Sequence, residues 1–199
     1  MIADGELTHD GAQLVIGRGD RLKVKMIAAY KAAITELVAV VTSCLTLVSS
    51  GSQVIIRKTS GKKLISQAKK LFPGWIDPDF TNYGCNVPSE ARPDMPVEVF
   101  EMTADATFET IFNSFEAELD NLALTQEQII SFVEEHESWL HPQGYATFFL
   151  FKANGKFFVA YVFRLDRKLG VRVFHFSRGY VWDASRRYRI VVPQLKLKS

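Results

Sequence analysis

Cations interleaved with aromatic rings crowd the last third of this 199-residue chain. Lys152, Arg164, Arg172, Arg178, Arg186, Arg187 and Arg189 alternate there with Phe, Tyr and Trp182. Such a mixture can hold a polyanion, because cations track phosphates while aromatic faces stack bases. Those seven are candidate nucleic-acid contacts, joined by Lys62, Lys63, Lys69 and Lys70 in an earlier basic stretch. The same charges also have plain structural uses. They keep strand edges from pairing, or they face acidic segments of the same molecule. No ribonucleoprotein, helix-turn-helix or zinc-finger signature accompanies them.

Two weaker constellations carry other chemistry. Cys85 follows Gly84 in a proline-rich loop, where a thiol with His175 or His136 as base would make a hydrolase nucleophile. No family-specific residues surround it, and a lone cysteine also reads as a small apolar core residue. Glu134, Glu135, His136, Glu137 and His141 look metal-friendly. Zincin chemistry needs histidines at i and i+4. Here they stand at i and i+5 before Pro142, about 140° apart around a helix axis. A solvated acidic face is therefore expected, and no metal. Asp77-Pro78-Asp79 fails the calcium-loop pattern, whose closing Glu would fall on Pro88. Gly17-Arg18-Gly19 lacks the third glycine of a dinucleotide site, so no cofactor is expected either.

Charge is sorted by position. Residues 1–75 hold 11 Lys/Arg against 5 Asp/Glu, a net of +6; residues 76–140 hold 1 against 15, a net of −14; residues 141–199 hold 12 against 2, a net of +10. The overall +2 hides a strongly dipolar chain. Segregation of this kind speaks to partners and association rather than to a reaction. The expected function is a non-enzymatic interaction module, whose acidic and basic surfaces mediate self-association or binding to a protein partner. Nucleic-acid binding by the basic aromatic sheet is the alternative, and a Cys85 hydrolase a further one.

A hydrophobic content of 47% with 15 Phe supports a real core. Two cysteines without partner spacing and an acidic start without an apolar run suit a reducing compartment, so a cytoplasmic location is expected. Residues 37–56 are free of charge and long enough to span a bilayer, but Ser49-Ser50-Gly51-Ser52 would leave backbone groups unsatisfied in hydrocarbon. They are expected in the core, as a helix end or as a hairpin, with no membrane partner.

The elements that must position these residues follow from spacing. Residues 1–20 read as a flexible tail, and residues 21–199 as a single α+β domain with a helical, loop-rich part over 21–141. An apolar stripe predicts an N-terminal helix over about 21–47. Ser60 could cap a short helix ending at Pro73-Gly74. Helices are predicted after Asp105 and after the capping box Thr125/Gln128, the latter ending at His141-Pro142. Asn154-Gly155 between apolar runs predicts a type I′ hairpin. It opens a C-terminal antiparallel β-meander of four to five strands over 145–197, backed by two or three helices. Because Phe148 and Leu150 alternate with Phe149 and Phe151, both faces of that hairpin need a cover. The helices supply one; the N-terminal segment or a second copy is expected to supply the other.

Overall fold

The hairpin forms where its turn dipeptide demands. In the computed structural model, which describes residues 44–195, Asn154 and Gly155 both take positive φ (48° and 72°) between strands β5 (Thr147–Ala153) and β6 (Lys156–Leu165). β7 (Lys168–His175) follows through a second two-residue turn, Asp166-Arg167, also at positive φ. These three strands are the predicted antiparallel meander.

The meander stops there. Residues 180–184 make only a single bridge, Trp182 to Ala106, and the last strand, β8 (Arg189–Pro193), does not lie beside β7. It crosses to the far side of β5, pairs parallel with it, and then takes the antiparallel strand β4 (Met95–Met102) on its other edge. Strand β1 (Leu45–Leu47) and strand β2 (Val54–Ile56) both pair with β4, while β3 (Trp75–Ile76) lies parallel to β7 at the opposite edge. Eight strands thus form one mixed sheet with helices beside it, an α+β arrangement.

Residues 37–56, expected as a helix end or a hairpin, are neither in their described part. Leu47 faces Phe100 and Val54 faces Val97, so seven steps along the first strand match three along β4. The difference is taken up by Ser49-Ser50-Gly51-Ser52, which loops out of one edge strand instead of reversing it. Ser49 is buried and its hydroxyl accepts from the Val99 N–H, which anchors the excursion. The rest of the predicted N-terminal helix, and the tail, lie outside the described residues. Among the described residues no helix is long and apolar enough to cross a membrane.

Helix α4 (Gln126–Glu135) carries the predicted capping box in full: Thr125 accepts from the Gln128 N–H and Gln128 returns to the Thr125 N–H. It ends at Glu135, before a 3-10 turn over Glu137–Trp139, and so short of His141. The helix expected after Asp105 is two: α2 (Phe108–Asn113), capped by Thr107, and α3 (Leu119–Leu122), separated by Glu116 at φ 51°. A short helix, α1 (Asp79–Asn82), lies in the proline-rich loop. Residues 60–72 contain only the 3-10 turn Ile65–Gln67. Ser60 caps nothing; its hydroxyl donates to the Glu127 carboxylate, which also accepts the N–H of Lys62 (2.8 Å) and Lys63. That cradle fixes the segment in an irregular path, and Gly61 at φ 78° excludes a helical start.

Both sheet faces are covered from within the described chain. Phe149, Phe151, Val191 and Val99 pack under α4 and residues 54–85. Phe148, Leu150, Ile190 and Val192 pack under α2, α3 and Trp182. The helices of 105–141 divide between the two faces, instead of backing one of them. Each fully buried Phe contributes roughly 1.5–3 kcal/mol, which explains why the doubly apolar hairpin sits at the centre.

Candidate functional site

Strand register sorts the cations of the sheet. Tyr161 faces Arg172, Val159 faces Phe174 and Phe163 faces Gly170, so Tyr161, Phe163, Arg172 and Phe174 share the face covered further along by α2. Beyond that helix the rings emerge toward solvent. Arg172 lies over the Phe163 ring at 5.5 Å. Arg178 lies over Phe174 at 4.8 Å and over Tyr180 at 5.6 Å. Arg186 lies over Tyr145 at 5.6 Å. The three arginines are exposed, as are Tyr180 (51%) and Tyr145 (41%). Behind them Trp182 is buried among Phe108, Phe148, Tyr161 and Tyr188, a rigid floor of aromatic contacts. Burial, with Tyr188 adding to it, pushes Tyr161 up to about 12, so its hydroxyl stays neutral.

The other candidate cations are engaged differently. Lys152 pairs with Asp120 at 2.6 Å, Arg164 with Glu137, Arg187 with Glu101 and Lys63 with Glu134. Adding Arg57–Asp94, the five ion pairs among the described residues all join the acidic middle of the chain to a basic flank. Arg189 donates to the carbonyls of Trp139 and Leu140. Among the described residues, Arg172, Arg178 and Arg186 have no carboxylate within ion-pair distance. Each guanidinium lies over a ring instead, which leaves its charge at the surface. Lys62, Lys69 and Lys70 are exposed on the segment that packs against the opposite face of the sheet.

The weaker constellations come apart. Cys85 is fully buried, and burial alone pushes its thiol up to about 11, so no imidazole activates it. His175 instead packs tilted against Tyr83 at 4.4 Å and against Phe158 at 5.0 Å. His136 bonds the Ile55 carbonyl through Nε2 at 2.8 Å. His141 is buried, with Nδ1 accepting the Gln143 N–H. Both imidazoles thus serve the backbone. Among the described residues no three His, Cys, Asp or Glu side chains group as a metal site.

Sequence reasoning named the arginines of this face but not the rings that seat them. Gly170 was the available signal, since a glycine within a strand often marks the close approach of another group. A Cβ there would lie 2.6 Å from the tip of the Phe163 ring. The ring therefore lies across β7, where Arg172 can cover it. No protein-family model matches this chain, and no curated protein or solved structure matches it either.

Proposed function

We propose that this protein is a non-enzymatic binding domain for single-stranded nucleic acid, with the face of Tyr145, Phe163, Arg172, Phe174, Arg178, Tyr180 and Arg186 as its working surface. One observation carries the reading. Three guanidiniums lie on aromatic rings without a carboxylate, while Lys63, Lys152, Arg164 and Arg187 are neutralised by the acidic middle of the chain. Arginines seated over rings keep a planar cation for a base and a fork of donors for a phosphate. Half-exposed Tyr180 and Tyr145 offer rings to unpaired bases, which a duplex hides inside its stack.

Self-association has less to stand on. Its two motivations were the segregated charges and the need for a second cover on the sheet. Within the described residues, five ion pairs join the acidic middle to the basic flanks, and apolar residues are buried on both sheet faces. The test is the salt slope of binding to labelled oligouridine of about 12 nucleotides. Replacing Arg172, Arg178 and Arg186 together by Gln should flatten that slope by about 2, since single strands lose about 0.7 per phosphate contact. An unchanged slope would remove the arginines from the interface.

A further inference from the structure

On the other face of the sheet, the 3-10 turn Ile65–Gln67 and helix α4 enclose a groove of about 490 Å³. Its floor is apolar, built by Leu64, Leu71 and Ile130, and its rim carries Lys63, Lys69 and Lys70. At one end Lys63 already holds a carboxylate, Glu134 at 3.5 Å. Further along, Lys69 and Lys70 are exposed and form no ion pair among the described residues. The groove thus has one carboxylate seated and two cationic positions open above apolar ground.

We propose that this groove docks an acidic peptide segment of a partner protein, with an apolar anchor on Leu64, Leu71 and Ile130 and flanking carboxylates on Lys69 and Lys70. Charge complementarity selects this occupant. A nucleic-acid backbone would gain little from an apolar floor, whereas acidic segments with aliphatic or aromatic anchors satisfy floor and rim together. This surface is independent of the arginine face, so the two readings stand or fall separately.

The test is selection of random displayed peptides of about twelve residues against the full chain, followed by anisotropy of the enriched peptides after synthesis with fluorescein. Enriched sequences should carry Asp or Glu flanking Leu, Ile or Phe. Lys69→Glu with Lys70→Glu should weaken them at least tenfold, and Lys62→Glu, outside the groove, should leave them unchanged. Lys69→Gln alone should weaken them by a smaller factor, which keeps the test open if the double reversal does not fold. Enrichment without acidic residues, no enrichment, or equal binding to the double variant would overturn the proposal. So would a loss of oligouridine binding in that variant, which would assign the lysines to nucleic acid.

Discussion

The Arg172 guanidinium lies over the Phe163 ring at 5.5 Å, reaching it from the adjacent strand of the sheet. The pair exists because residue 170, directly opposite Phe163, has no side chain. The ring fills the space a Cβ would need, and Arg172 closes over it.

Gly170→Ala should therefore displace the Phe163 ring. Overpacking at a half-exposed ring tip should cost about 1 kcal/mol of stability in urea unfolding. Oligouridine affinity should fall several-fold, because Arg172 loses its seat. Unchanged affinity in a folded variant would show that the Phe163 ring does not orient Arg172 for the ligand.

The ion pairs differ in what they hold. Glu101 is 8% exposed and receives Arg187 Nε at 2.7 Å, whereas Asp120, opposite Lys152, is an exposed carboxylate. Arg187→Gln leaves a buried carboxylate short of its charged partner and should cost about 2 kcal/mol. Lys152→Gln should stay within about 0.5 kcal/mol. Equal effects in denaturant titrations would mean that burial of Glu101 does not govern the pair.

His141 makes the fold sensitive to mild acid. Burial lowers its pKa below the ordinary 6.5 and Arg189 adds to the shift, while Glu101 and the Arg186 backbone oppose it. A depressed folded value means that the unfolded chain takes up the proton first. The stability from neutral His141 is thus present above about pH 6.5 and is lost as pH falls through the folded value. Wild type should lose stability between pH 7.5 and 5.5, and His141→Gln should lose less over the same interval. Parallel pH profiles for the two would contradict this.

Cys85 should be inert. With its thiol at about 11 and its side chain fully buried, native protein should not react with iodoacetamide between pH 5 and 9, and should react once unfolded. Rapid alkylation of the native state would reopen a role as nucleophile.

Local rules predicted local structure well. Thr125/Gln128 and Asn154-Gly155 are short motifs whose geometry depends on neighbours in sequence, and both form as read. Ser60 failed as a cap because its hydroxyl meets Glu127, 67 residues away. The return of β8 between β4 and β5 depends on contacts across the whole sheet, which no window of residues displays. The same holds for the face itself. Arg172, Arg178 and Arg186 look like Arg164 and Arg187 in the sequence, and only folding decides which meet carboxylates and which meet rings.

The measurement that bears most directly on this account is anisotropy of labelled single-stranded RNA, single-stranded DNA and duplex DNA against the full chain, at low and at physiological salt. The arginine–aromatic face predicts micromolar or tighter binding to single strands, weaker binding to duplex, and a steep loss with salt. No binding at low salt, or a preference for duplex, would contradict it.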